Sequence, residues 1–195
     1  MLRRIRAAGA YMLLNDSKLR FARELIGHWT QIRRGNLVPL EEDIDPRELV
    51  RLFAWLTIAD LSEPETATIE VAGAAVTRRF ATDIRKANWI DFMPPAMRRP
   101  AAMARDLLIT VPCGIYYRYQ LSDSGGPLLA AETVAVPLRT RESPRPNAVV
   151  ALTHDLLHRS PVPLVSGEGR KMDEFHAEFV DIGAGAPGGF PTERP

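Results

Sequence analysis

Residues 28–61 read HWTQIRRGNLVPLEEDIDPRELVRLFAWLTIADL and contain a joint between two apolar stretches. Gly35 can adopt the left-handed conformation that ends a helix. Asp45 is a good N-cap for a new helix, Pro46 suits its first position, and Glu48 stands where the acid of a capping box reaches back. The stretch therefore predicts a helix, a short joint and a second helix.

The apolar residues on both sides of the joint have the spacing of regular structure. From Ser17 to Arg34 they recur every three or four residues, which predicts an amphipathic helix with the stripe Leu19, Ala22, Leu25, Ile26, Trp29 and Ile32. The second helix covers about residues 46–53. The sequence FAWLTIADL follows it and has the β-branched and aromatic content of a buried strand that ends near Asp60.

The rest of the chain predicts an α+β fold with a five-stranded antiparallel sheet. Residues 54–73 read as a hairpin of two strands. Residues 74–111 have helical spacing that is interrupted by Pro94, Pro95 and Pro100, which predicts a crossover of several short helices. After Pro112, alternation of apolar and polar residues predicts three further strands.

This pattern divides the chain into four parts. We expect an N-terminal arm at residues 1–16, a helical segment at residues 17–53, a sheet domain at residues 54–157 and a mobile C-terminal tail at residues 158–195. The tail is expected because periodicity is lost beyond the fifth strand and GAGAPGGFPTERP is too rich in glycine and proline to pack a core.

Composition limits the classes of protein that this chain can belong to. Of 195 residues 46% are hydrophobic and 25% are charged, and the net charge of +1 gives no general attraction to nucleic acid or membranes. One cysteine, Cys113, excludes an intrachain disulfide and a multi-cysteine zinc site, which favours a reducing cytoplasm. No apolar run approaches the roughly 20 residues of a membrane span, and we do not expect export.

The order of two strands, a helical crossover and three strands is the PAS arrangement, and three motifs resemble a divergent family of bacterial PAS-domain proteins. Residues 28–61 resemble the family's tryptophan-bearing helix, its basic joint with "P" and "DP" marks and its first strand, which ends in an acid. IEVAGAAV resembles the second strand of the family running into a glycine, and FATDI resembles its F-G-x-D-L motif. The likeness covers roughly residues 20–155.

The resemblance implies a cytoplasmic sensory or protein-interaction domain whose sheet and crossover enclose a cavity. The candidate ligand-binding residues are the aromatic and sulfur-bearing side chains at these fold positions: Trp89, Phe92, Met93, Met97, Tyr117 and Tyr119. Such side chains suit a small apolar or aromatic ligand, although they would equally make an ordinary core. Both interpretations stay open, and no cofactor is identified.

One departure from the family concerns the shape of the crossover. Family members usually have glycines near the positions of Ala81 and Lys86, whereas this chain has no glycine between Gly73 and Gly114. We therefore expect the crossover to be stiffer than in the family, or to have a different shape.

An alternative function is a small metal-dependent hydrolase. The sequence THDLLH contains His154, Asp155 and His158, and two histidines four residues apart share one face of a helix. A metal needs further ligands, and His28 and His176 are distant in sequence. Because this segment lies where a strand ends, surface histidines are the simpler interpretation.

Other motifs give weaker signals. GAGAPG matches G-x-G-x-x-G but lacks the strand and helix that a dinucleotide site needs. Cys113 reads as a buried side chain at the start of a strand rather than a nucleophile. The crossover arginines Arg78, Arg79, Arg98, Arg99 and Arg105 could bind anions or nucleic acid, but neighbouring acids favour a solvated helix face.

The main hypothesis is a non-enzymatic sensory module that binds a small ligand, a protein partner or both. We expect no output domain in the chain, so a signal would leave through a protein partner or a change of oligomer. The stripe with Leu25, Ile26 and Trp29 is too apolar for water and must cover either its own sheet or a second chain. A homodimer through this helix is the favoured interpretation, with no partner in nucleic acid or membrane.

Overall fold

The computed structural model describes residues 3–7, 10–14, 20–80, 82–123, 126–158 and 171–191. Within them the strands are β1 (Arg3–Ala7), β2 (Ala10–Leu14), β3 (Leu56–Asp60), β4 (Thr68–Ala72), β5 (Cys113–Asp123), β6 (Gly126–Leu138), β7 (Ala148–His158) and β8 (Lys171–Asp181). The α-helices are α1 (Arg20–Ile32), α2 (Ala74–Phe80) and α3 (Pro95–Thr110). The α+β fold expected from the sequence is therefore present.

The main sheet has six antiparallel strands in the order β4-β3-β7-β6-β5-β8. Strand β7 lies between β3 and β6, so the last strand of the predicted five lies in the middle of the sheet. Helix α1 covers one face of the sheet, which we call the α1 face. Helices α2 and α3 cover the other, which we call the crossover face. Strands β1 and β2 form a separate hairpin within the predicted N-terminal arm, where no strand was expected.

The sixth strand corrects the predicted five-stranded sheet and the tail predicted to begin at residue 158. Strand β8 pairs with β5 from Ser122 opposite Lys171 to Cys113 opposite Asp181. Its sequence EFHAEFV does alternate polar and apolar residues, as expected for a strand. The strand was missed because the glycine-rich sequence that follows led to the prediction of a tail for the whole segment. Residues 159–170 and 192–195 of the predicted tail lie outside the described residues.

Helix α1 lies within the predicted range of residues 17–34, and its apolar stripe packs on its own sheet. Leu25 and Trp29 are 1% and 3% exposed, in a core with Val136, Leu138 and Val150. The stripe has a partner inside the chain, so it no longer gives a reason to expect a dimer through this helix.

The joint after α1 was predicted correctly at its start and wrongly at its end. Gly35 has the expected positive φ, 88°, and Arg34 before it has a φ of 49°, so two left-handed residues form the turn after α1. The predicted helix at residues 46–53 is instead a series of turns that ends in a 3-10 turn at Phe53–Trp55. Glu48 does not act as a capping acid there, because its Oε2 lies 2.7 Å from Nδ1 of the buried His28.

The crossover consists of α2, a 3-10 turn at Trp89–Phe92 and α3. It is divided into several helices as predicted, but α3 has 16 residues and is not short. Pro95 occupies the first position of α3, where its missing N–H costs nothing. Pro100 lies inside α3 and does not break it, contrary to the prediction; it removes only one helical hydrogen bond.

Candidate ligand-binding cavity

A cavity of about 110 Å³ lies between the crossover face of the sheet and helix α3. Its floor is a row of paired residues across four strands, in which Thr57 is opposite Ala151, Ala151 opposite Ala135, and Ala135 opposite Ile115. The two central positions are alanines, so no side chain larger than a methyl group fills the middle of the floor. The row of small residues therefore explains why this core contains space.

The wall opposite the sheet comes from the crossover and is apolar. The 3-10 turn supplies Trp89 and Ile90, and Met93 follows it. Helix α3 supplies Met97, Ala101, Ala104 and Leu108. The space approaches that of an apolar cavity of about 150 Å³ that binds benzene. Its size and lining suit a small, neutral apolar or aromatic molecule.

The structure brings four of the six predicted pocket residues to the cavity: Trp89, Met93, Met97 and Tyr117. Phe92 instead packs against Phe80, with the ring centroids 4.7 Å apart. Tyr119 lies behind Tyr117, with the two rings stacked at 6.2 Å. Whether any of the six binds a ligand stays a prediction.

Two phenylalanines that sequence analysis did not single out also line the cavity. Phe175 lies on β8 and Phe190 on the irregular segment after it. Their rings are 5.1 Å apart, and the ring of Phe190 stacks on Phe179 at 6.2 Å. The alternation in β8 would have indicated Phe175, whereas Phe190 lies in a segment without periodicity.

The polar groups near the cavity have partners within the fold. The hydroxyl of Tyr117 is close to Thr133 and to the indole of Trp89, and burial raises the pKa of Tyr117, so the phenol stays neutral. Thr133 in turn lies 3.0 Å from Thr153, between their hydroxyl oxygens. The hydroxyl groups of Tyr117, Thr133 and Thr153 therefore form one polar but uncharged side of the cavity.

Arg105 touches the cavity, but its guanidinium is occupied by the loop before β4. It donates to the carbonyls of Thr66 at 3.0 Å and Glu63 at 2.6 Å, to the carbonyl of Leu61, and to the carboxylate of Asp106 at 2.5 Å. Its side chain is 9% exposed. The guanidinium therefore holds the loop in place rather than offering a charge to a ligand.

Arg79 is also buried, although a solvated helix face was expected for the crossover arginines. Its side chain is 0% exposed and pairs with Asp155 of β7, close to Tyr119. Because Arg79 and Arg105 are both inside the fold, they cannot form the anion-binding or nucleic-acid surface considered above.

The residues of the hydrolase alternative do not form one site. His154 points to the α1 face, where its Nδ1 lies 3.8 Å from Oε1 of Glu132, whereas Asp155 points to the crossover face and pairs with Arg79. Neighbours in a strand alternate between faces, and the helix that would align two histidines is absent here. The side chain of His158 lies outside the described residues, and those that are described contain no cluster of metal ligands.

An antiparallel sheet with helices on both faces and a cavity under α3 defines the class of the protein as an α+β domain. The chain belongs to the PAS domain family, because the model of that family matches residues 18–152. The match includes α1 and the joint, and it ends before β8. A search of curated proteins gave no match to the chain. No helix in the described ranges is long and apolar enough to cross a membrane.

Proposed function

We propose that this PAS domain is a sensory or regulatory module whose cavity binds a small neutral apolar or aromatic ligand and whose occupancy is read by a protein partner in the cytoplasm. The proposal rests above all on the cavity of about 110 Å³ under α3. Protein interiors are normally packed as densely as organic crystals, so a space of this size in the core needs a reason.

The chemistry of the lining supports a neutral ligand. Trp89, Met93 and Met97 offer flexible or flat apolar surfaces, and methionine adapts to ligands of different shapes. The charged group at the edge of the cavity, Arg105, already has four acceptors. A charged ligand would lose its hydration without gaining a partner, and that loss costs several kcal/mol.

The experiment compares the ligand-induced shift in melting temperature between the wild-type protein and a variant with a filled cavity. A ligand that binds only the folded protein raises its stability by about 2.7 kcal/mol at 100 times its Kd. Benzene, toluene and indole are suitable first compounds, and native mass spectrometry of the purified protein would reveal a ligand that is already bound. We expect Ala135→Leu, which adds a side chain to the floor, to abolish the shift.

Ala96→Leu is the matched control, because Ala96 is exposed on α3. It adds the same atoms outside the cavity, so the shift should stay as in the wild type. Tyr117→Phe removes only the hydroxyl, so it should change the relative affinities of the cavity for polar and apolar compounds. If no compound shifts the melting temperature of the wild-type protein, the cavity is an ordinary packing defect and the proposal is wrong.

A further inference from the structure

The segment after β8, residues 182–191, passes from one face of the sheet to the other. Ile182 is buried in the core of the α1 face together with Trp29. Phe190, eight residues later, is in the cavity wall on the crossover face. We call residues 182–191 the strap, since they connect the two sides of the domain around the end of β8.

The strap is firmly attached where it leaves β8. Oδ1 of Asp181 accepts hydrogen bonds from the N–H of Gly183 at 2.7 Å and of Gly185 at 3.0 Å. Both glycines have positive φ, 116° and 86°, so the turn needs residues without a side chain. Arg33 of α1 also donates to the carbonyl of Ile182 at 3.3 Å. This end is therefore fixed to both β8 and α1.

The far end of the strap is held by the apolar packing of Phe190, which includes the rings of Phe175 and Phe179. Phe190 is half-buried between Phe175 and Phe179. No hydrogen bond joins residues 186–191 to the other described parts of the chain. Gly188 and Gly189, the two residues before Phe190, have open space around them. A segment whose backbone makes no hydrogen bonds to the other described residues opens at lower free energy than a paired strand.

We propose that the strap is a lid on the cavity, with Phe190 as the group that closes over the ligand. The inference rests on the proposed ligand-binding function and adds how the ligand enters and what changes when it is bound. Phe190 lines the space rather than filling it, so a bound ligand adds contacts to its ring and favours the closed strap. By reciprocity, a closed strap holds the ligand more tightly.

The test uses toluene as the probe and Phe190→Ala as the variant. Removal of the ring leaves the floor and the α3 wall intact, so the variant should still bind toluene. Its release rate, measured by NMR exchange, should rise by at least about tenfold, because the contacts of one large apolar side chain are lost. Phe53→Ala is the matched control: Phe53 is 42% exposed and does not line the cavity.

NMR relaxation of the backbone amides of the wild-type protein gives an independent measurement that needs no variant. Saturating toluene should raise the order parameters of residues 188–190 and leave those of the turns at residues 46–52 unchanged. If both proteins bind toluene, release it equally fast, and the strap amides do not respond, the lid is wrong while the proposed function stands. If neither protein binds toluene, both inferences fail. An equal increase of the release rate in Phe53→Ala would also overturn the lid.

Discussion

Trp29 of α1 donates its indole N–H to the backbone carbonyl of Pro137 in β6 over 2.8 Å, and this hydrogen bond is buried. The guanidinium of Arg33 lies over the same ring, 5.0 Å from its centroid. The tryptophan is thus attached by its polar atom and by its apolar surface. Helix α1 is part of the domain core rather than an arm available to a second chain.

The first prediction concerns this attachment. Trp29→Phe keeps an aromatic ring but leaves the carbonyl of Pro137 without this donor, and we expect a loss of about 1–3 kcal/mol in the free energy of unfolding. Trp29→Ala should lose about 3–5 kcal/mol. Urea denaturation measures both, with the exposed Gln31→Ala as the control on the same helix. A Trp29→Ala protein that stays folded and changes only from dimer to monomer in sedimentation would contradict this assignment.

The parts of the fold that sequence analysis predicted are those with strong local signals. The stripe with Leu25 and Trp29 determined α1, and Gly35 ended it in the expected conformation. The prediction of a helix at residues 46–53 was wrong because the N-cap signal at Asp45 is compatible with a turn as well as with a helix. Oδ1 of Asp45 does accept a hydrogen bond from the N–H of Arg47 at 2.8 Å. Packing of Leu49 and Leu52 into the core then selected the turns.

The cavity could be predicted only in part, for a related reason. Trp89, Met93, Met97 and Tyr117 were found because the order of elements places the crossover against the sheet. The floor was missed because Ala135 and Ala151 carry no chemical signal, and their pairing depends on strand register, which the sequence alone does not give. Phe190 was missed because a segment held by tertiary contacts has no period to detect.

The second prediction concerns Gly73, where the second strand of the hairpin runs into α2. A Cβ atom at this position would lie 2.1 Å from the carbonyl oxygen of Phe53, which belongs to the backbone and cannot move aside. Gly73→Ala should therefore cost about 3 kcal/mol or more, or prevent folding. Gly27→Ala is the control, since Gly27 is exposed on α1 with open space around it. It should instead stabilise the protein by about 0.5–1 kcal/mol, as measured by thermal unfolding.

The third prediction concerns Lys86, near which the family resemblance implied a glycine. Lys86 has a φ of 67°, so the chain keeps a left-handed turn there despite the side chain. Lys86→Gly and Lys86→Ala both remove the exposed ion pair with Glu70, but only glycine removes the backbone strain. We expect the glycine variant to be about 1 kcal/mol more stable than the alanine variant in chemical denaturation. Equal stability of the two would show that the turn is not strained.

The fourth prediction concerns pH. Burial, and next the charge of Asp181, raise the pKa of Cys113 from 9 to about 12, so its thiol stays protonated in the folded chain. The unfolded chain loses this proton first as the pH rises. The protonated thiol of Cys113 therefore makes its full contribution to the free energy of unfolding below pH 9. This contribution is lost as the pH rises from 9 to about 12. From pH 8 to pH 10 the wild-type protein should lose roughly 1 kcal/mol more than Cys113→Ala, measured by urea denaturation. Parallel losses would contradict the buried thiol.

The last prediction concerns the buried ion pair between Arg79 of α2 and Asp155 of β7, which connects the crossover to the middle of the sheet. The side chain of Arg79 is 0% exposed and that of Asp155 is 15% exposed. Asp155→Ala leaves a guanidinium in the core without its counter-charge, and we expect a loss of about 3–5 kcal/mol in the free energy of unfolding. The exposed pair of Asp83 and Arg85 is the control, where Asp83→Ala should change the stability far less because water already screens both charges.

The double variant Arg79→Met and Asp155→Leu separates the two possible reasons for that loss. If the cost of Asp155→Ala comes from the stranded charge, replacing both partners by apolar side chains should recover much of it, because no buried charge remains. If the pair instead supplies necessary hydrogen bonds to the fold, the double variant should be less stable than Asp155→Ala alone. Denaturation curves of the wild type, Arg79→Met, Asp155→Leu and the double variant complete this cycle.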